Sequence, residues 1–419
     1  MSSVGEICSV VPIGSNDSSA VLQLLLTKLK KYGFNNQFIN WVKSFLTDRP
    51  QSVVLNGVHS YLAVIISGVP QGTVLGPILF ILFINDMEKC VMNSSVRFFA
   101  DDTRVSKQIS SEKDVELLKQ DLNNIIDWSK SNNMMLHEDK FELMIHKNKP
   151  KSSVYELPFV SELMSYTVST GESLTPVDTL RDLGVIVASS LSWRPHISTI
   201  VQRARSMAGW VFSAFKARDS TTMLTIYKSL VRCHLDYCCP LWNPSAILDI
   251  KLIEGVQRTF TSKINGVQHL NYWQRLQALC LMSLQRRRER YIIIQMWKIL
   301  HKLCPNDVNV QFSAPTRLGI KAIVPSLSKS KISTLHNQSL YDSSFAVTGP
   351  MLWNCLPSNL PKIADLAGFK HNLTTFLLTF PDNPPTGDYV AVNNNSLLKW
   401  CENTAEAQLQ GRLRHVMTQ

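Results

Sequence analysis

At 419 residues the chain is long enough for two or three domains with cores of their own. A hydrophobic fraction of 45% beside 18% charged residues excludes an intrinsically disordered chain. Lys+Arg number 43 against 32 Asp+Glu, and the resulting +11 favours a polyanionic partner, of which nucleic acid is the commonest.

The N-terminus, "MSSVGEICSVVPIGS", lacks the basic-then-apolar pattern of a secretory signal. From Leu22 to Leu46, apolar residues at helical spacing on either side of "YGFNN" predict two short helices. "QSVVLNGVHSYLAVIISG" alternates and carries Asn56–Gly57, a hairpin signal. "SGVPQGTVLGPILFILFINDM" (Ser67 to Met87) is a Gly/Pro-rich loop feeding a buried helix, and its apolar run Ile78–Ile84 is too short to cross a membrane.

"SSVRFFADDTRVSK" reads as strand–turn–strand with Asp101 and Asp102 at the tip. An aspartate pair in that setting is either a plain turn or part of a metal site. The next segment, after Ser111, predicts an amphipathic helix burying Val115, Leu118, Leu122, Ile125 and Trp128. "HEDKFELMIH" then enters a strand, and "LRDLGVIV" (Leu180 to Val187) predicts another.

Beyond about residue 190 helical patterns dominate. Leu224, Tyr227, Val231 and Leu235 share one predicted face; Leu252, Val256 and Phe260 share another. "LQRRRERYIII" predicts a basic helix with Arg286, Arg287, Arg288 and Arg290, either a solvated face or a nucleic-acid contact. The cysteine-rich "CHLDYCC" lacks a second ligand pair at zinc-finger spacing and overlaps a helical pattern, so a structural role is expected. Nine scattered cysteines point to free thiols in a reducing compartment. Past Cys304 the composition suggests a looser C-terminal region, and from about Asp382 a tail.

Three elements converge on one chemistry. Gly68, Gly72 and Gly76 permit close backbone approach to a ligand, Pro70 and Pro77 stiffen the segment, and Gln71 offers an amide. About thirty residues later come the paired aspartates, and then Lys140 at the start of a strand. In this order and spacing, "SGVPQGTVLGP", "FADD" and "WSKSNNMMLHEDKFELMIH" resemble motifs B, C and D of a reverse-transcriptase palm. "LRDLGVIVASSLSWRPHI" resembles the primer-grip region that follows it. The likeness is to non-LTR retrotransposons, the long interspersed elements of the chicken-repeat and Jockey-like branches, over about Leu24 to Leu378.

The resemblance implies an α+β fold: a right-hand polymerase palm (antiparallel sheet with packed helices), then a mainly helical thumb and C-terminal region. The implied segments are 24–190 (palm), 191–305 (thumb-like), 306–380 (C-terminal retroelement region) and 381–419 (tail), with 1–23 an atypical N-terminal segment. It implies template-directed nucleotidyl transfer with two Mg2+ ions, an RNA template, a DNA primer and deoxynucleotide triphosphates, and no membrane. Asp101 and Asp102 would be metal ligands, Lys140 a proton donor, and Pro70, Gln71, Gly72 and Phe99 contacts to nucleotide and template. The four arginines would face the duplex backbone. A working enzyme primed at genomic DNA would be nuclear.

One part departs from the family pattern. Its motif A, "DFSKAFDxVxHxxLLxKL", begins with an aspartate that bridges both metals. Ungapped alignment back from Leu24 places Pro12 there, with Asp17 about five residues out of register. The fingers are also missing, so the chain reads as a truncated copy with impaired or absent catalysis. A non-catalytic basic nucleic-acid-binding remnant is the alternative. A decayed product, poorly folded because half its palm sheet is absent, is a third.

Overall fold

The computed structural model describes residues 3–8, 12–13, 18–64, 68–70, 72–137, 140–146, 173–304, 311–312, 323–324, 341–357, 359–379 and 396–398. The chain divides once, into Met1–Ser192 and Trp193–Gln419.

The first unit is α+β. Its two leading helices, α1 (Ser18–Lys31) and α2 (Asn36–Leu46), break at the predicted place, where Gly33 has φ +88° and Asn35 caps α2 by accepting from Phe38 N. The Asn56–Gly57 turn closes a hairpin with strands β3 (Pro50–Gln51), β4 (Val54–Leu55), β5 (Val58–His59) and β6 (Ala63–Val64), in β4–β5 and β3–β6 pairs. Helix α3 (Leu75–Ile84) and α4 (Glu112–Ser131) complete the helical layer. Ser111 and Asp114 form the capping box of α4, and all five residues expected on its inner face are buried.

The sheet is antiparallel in the order β10–β1–β8–β7. Here β1 is Ser3–Cys8, β7 Ser95–Phe99, β8 Asp102–Ile109 and β10 Glu142–His146. A decayed product lacking half its sheet is one of the alternatives the sequence leaves open; in the structure β1 occupies an interior position of the sheet, pairing with both β8 and β10. Each of its backbone edges finds a ladder, which explains why a segment without helical periodicity docks there. A shorter pair joins β2 (Pro12–Ile13) to β9 (Met135–Leu136).

"LRDLGVIV" is a hairpin rather than one strand: β11 (Thr179–Asp182) and β12 (Val185–Ala188) pair across Leu183 and Gly184, both at positive φ. Two consecutive left-handed residues suit a tight two-residue turn, a cue overlooked in a run that otherwise reads as apolar.

A buried ion pair ties the helices of this unit. Lys28 Nζ donates to Phe83 O and to Asp86 Oδ1, both at 2.7 Å, and Trp128 Nε1 donates to the same carboxylate oxygen at 3.1 Å. The ammonium lies 4.4 Å from the Phe83 ring centroid and 4.7 Å from that of Trp128. Burial lowers the proton affinity of Lys28, while Asp86 opposes that loss.

The second unit is mainly helical. It contains α5 (Arg194–Ala214), α6 (Ser220–Ile226), α7 (Ile247–Thr261), α8 (Tyr272–Ala278), α9 (Leu284–Leu300), α10 (Phe345–Asn354) and α11 (Leu366–Leu378). A π-helical turn over Tyr227–Val231 follows α6 and changes the phase of its inner face, which buries Met223, Tyr227, Val231 and Leu235 rather than Leu224. The C-terminal helices pack closely: Leu352, Trp353, Phe369 and Leu373 join Ile292, Ile293 and Trp297 in one core. Leu397, within the expected tail, is fully buried in that core.

His196 on α5 is buried with its ring edge-on to Trp242. Burial, and then the charge of Arg203, pushes its pKa down to about 4. Between that value and the usual 6.5, the unfolded chain binds a proton that the folded unit does not. Stability should therefore be fully present above pH 6.5 and fall toward pH 4, by up to about 1.4 kcal/mol per pH unit for one proton. Denaturant melts of wild type and His196→Leu across pH 4–7 test this; parallel pH profiles would refute it.

Candidate active site

The loop before α3 is built around one carbonyl. Thr73 Oγ1 donates to Pro70 O at 2.8 Å, and Gly76 N donates to Thr73 Oγ1 at 3.1 Å. A Cβ on Gly76 would sit 2.8 Å from Pro70 O, so only glycine allows this approach. Gly72 has φ +78°. Gln71 and Asp17 lie outside the described residues.

The β7–β8 hairpin closes at the Phe99–Asp102 pair, leaving Ala100 and Asp101 as its turn. Ala100 takes φ +54°, a left-handed conformation that costs an alanine about 1 kcal/mol. Asp101 projects from this turn into a cavity of about 400 Å3, lined also by Val69, Pro70, Gly72, Phe80 and Ile81. The cavity thus joins the glycine-rich loop to the aspartate hairpin, although about thirty residues separate them in sequence.

Asp102, at the start of β8, is half-buried. Burial first, then the charges of Asp101 and Asp182, push its carboxyl above the usual carboxylate range. Asp182 is itself held by Arg104, at 3.3 Å. A cation near the pair would relieve this repulsion. Two adjacent carboxylates fit one Mg2+ ion that keeps waters and substrate phosphates as further ligands. They do not supply the bridge of a two-ion site: among the described residues no group of three His, Cys, Asp or Glu side chains is placed to hold a metal. Within "CHLDYCC", Cys239 is buried and Cys233 and Cys238 are exposed.

Two further expected residues stand apart from the cavity lining. Phe99 is exposed at the end of β7. Lys140 is exposed in the turn before β10, its backbone N–H donating to His137 O at 3.0 Å.

The position aligned with the missing aspartate, Pro12, opens β2 and pairs with Leu136. Along β1, the ladder to β8 ends at Cys8 opposite Arg104. The one carboxylate residue of β1, Glu6, pairs with Ser106, four residues along β8 from Asp102, or about 13 Å at strand rise. That register puts Glu6 too far away to replace the missing aspartate.

The arginine run of α9 is corrected by the structure. At 100° per residue these positions spread around the helix instead of forming one face. Arg286 and Arg288 are buried. Arg287 Nε donates to both oxygens of Asp236, at 3.0 and 2.9 Å, and Arg290 Nε donates to Thr374 Oγ1 at 2.9 Å. The run is largely internal wiring, because carboxylates from other helices meet it, a tertiary fact without local signature.

Hairpin, glycine loop and antiparallel sheet belong to an α+β unit, and residues 10–187 match the family model of reverse transcriptase (RNA-dependent DNA polymerase). Over much of its length the chain is similar to Jockey-like reverse transcriptases of non-LTR retrotransposons. It is 24% identical over 243 residues to a probable RNA-directed DNA polymerase from transposon X-element of Drosophila melanogaster, covering 55% of this chain and 25% of that protein. To the RNA-directed DNA polymerase from mobile element jockey it is 26% identical in Drosophila funebris and 27% in Drosophila melanogaster. Each of those matches covers 58% of this chain and 26% of the relative. The chain therefore spans about a quarter of the length of these curated relatives.

Proposed function

We propose that the chain represents a template-directed nucleotidyl-transfer domain, RNA-directed and DNA-synthesising, whose catalysis is impaired. The observation that carries this reading is the shared cavity, where Asp101 meets Pro70 and Gly72. On this reading Asp101, in the cavity, and Asp102 beside it would hold Mg2+, the loop Pro70–Gly72 and Phe99 would contact nucleotide and template, and Lys140, outside the cavity lining, would offer a proton to the leaving group. Mg2+, when bound, supplies neutralisation of the charge that builds on the phosphates. The chain's own part is positioning: the turn at Ala100 presents Asp101 to the cavity, and the Thr73–Pro70 bond holds the loop opposite. The impairment follows from the absence of a carboxylate at position 12. RNA template, DNA primer and deoxynucleotide triphosphates are the proposed partners, with residues 24–190 as the palm, 191–305 as the thumb-like region and 306–380 as a C-terminal region.

Primer extension on poly(rA)/oligo(dT) with MgCl2 tests the reading. Wild type should stay at the background of Asp101→Ala while both bind the primer–template. Robust extension by both proteins would overturn the site assignment, and robust extension by wild type alone would overturn the impairment.

The alternative, non-catalytic nucleic-acid binding, is favoured by a different feature. Helix α5 carries exposed Arg203, Arg205 and Trp210, so cations available to a phosphate backbone lie there more than on α9. Arg203→Ala should reduce the salt dependence of duplex binding by about one counterion.

A further inference from the structure

The cavity at the hairpin combines features that suit more than a metal-bound nucleotide. Among the described residues Asp101 is the one charged residue in its lining, and Asp102 follows it directly in sequence. The remaining wall is apolar side chain and glycine, including Val69, Pro77, Phe80, Ile81 and the side-chain-free surfaces of Gly72 and Gly76. Among the described residues no lysine, arginine or histidine lines it. Such a space repels a bare polyphosphate and attracts a positive charge. Its volume, about 400 Å3, lies within the range of small-molecule sites of about 300–1,000 Å3.

We propose that this cavity binds planar aromatic cations, amidinium- or guanidinium-bearing rings, with the cation on Asp101 and the ring against the wall of Val69, Pro77, Phe80 and Ile81. A carboxylate takes an amidinium through two parallel N–H···O bonds, a geometry a spherical ion does not require. The apolar wall rewards a flat ring by removing it from water, which an aliphatic ammonium cannot match. Shape limits the guest as well. The approach of Pro70 O to Gly76 narrows the loop on one side, and the Thr73 bond keeps it there. The site assigned here goes beyond the polymerase reading. It requires no catalysis and no template, so a protein that never extends a primer can still bind such a ligand.

Calorimetric titration of the full chain with benzamidine, its neutral counterpart benzamide, and methylguanidinium tests the proposal. Benzamidine should bind about tenfold or more tighter than either of the others, reflecting charge and ring together. Asp101→Asn, at an exposed turn position, should bring benzamidine down to the benzamide level with an unchanged melting temperature. Ile81→Ser, on a residue 54% exposed, should weaken benzamidine several-fold and leave methylguanidinium unaffected. Excess MgCl2 should compete with benzamidine. Equal binding of benzamidine and benzamide, benzamidine affinity unchanged in Asp101→Asn, or methylguanidinium binding as tightly as benzamidine would each overturn it.

Discussion

Replacing Pro12 with aspartate is expected to raise primer extension by about a hundredfold over wild type, the size of effect that a single well-placed electrostatic stabiliser has on a transition state. The expectation rests on two independent placements. Alignment without gaps from Leu24 puts the bridging aspartate of related polymerases at this position. In the structure, β1 already lies beside β8 in the sheet, and Pro12 follows four residues after its end at Cys8. A gain must also depend on the hairpin, so Pro12→Asp/Asp101→Ala should return to background. If Pro12→Asp stays at background while melting like wild type, the missing aspartate is not what limits this chain.

The second large effect concerns stability of the helical unit. Glu254 on α7 is fully buried, and its carboxylate accepts from Leu284 N, the first residue of α9, at 3.1 and 3.0 Å and from the Tyr272 hydroxyl. Tyr272 in turn accepts from Gln257 Nε2 at 3.0 Å, and Tyr227 donates to Gln257 Oε1 at 2.9 Å. Burial and the neighbouring Glu254 charge hold the Tyr272 hydroxyl well above its ordinary pKa, so it remains a donor at any physiological pH. The carboxylate thus caps the N-terminus of α9 and provides a counter-charge for buried Arg288, whose Nε donates to Asn243 Oδ1 at 2.9 Å. Glu254→Ala leaves a buried backbone donor, a buried hydroxyl and a buried guanidinium less compensated at once. The expected loss is about 3–5 kcal/mol, a drop of roughly 6–20 °C in melting temperature for a domain of this size. Glu254→Gln, which keeps the acceptor and removes the charge, should fall in between. Near-UV circular dichroism during thermal melting reads both; a loss below about 1 kcal/mol for Glu254→Ala would show that α9 is held without this cap.

Helix α4 shows what local pattern can carry. Its capping Ser111 and five inner residues were legible because a helix repeats its inward direction every 3.6 residues, a property of neighbours in sequence. The Asn56–Gly57 hairpin was legible for the same kind of reason, because turn geometry selects residue types; the second hairpin was legible only as strand–turn–strand, since its turn falls on Ala100 and Asp101, and Asp102 opens β8. The arginines of α9 were not. Their sequence reads as a basic run, yet Asp236, Asn243 and Glu254 approach from elsewhere and Glu289 pairs with Arg286 along the same helix. Glu289 likewise accepts from Ser396 Oγ at 2.6 Å and from Leu397 N at 2.9 Å, across more than a hundred residues. Placement of β1 inside the sheet escaped the sequence too, since strand partners are chosen by long-range ladders and a six-residue strand has no strong period of its own.

Sequence alone determined the chemistry on offer: which residues carry carboxylates, where glycine frees the backbone, and that position 12 holds proline. Those are properties of residue type and local spacing. Tertiary structure decided which of these groups meet. It brought Asp101 into one cavity with Pro70 and Gly72, set Glu6 about 13 Å along the strand from Asp102, and turned a basic run into buried wiring. The reason is that a charge acts over a few ångströms of space, and only the folded sheet and helices convert distant positions in the chain into neighbours at that range.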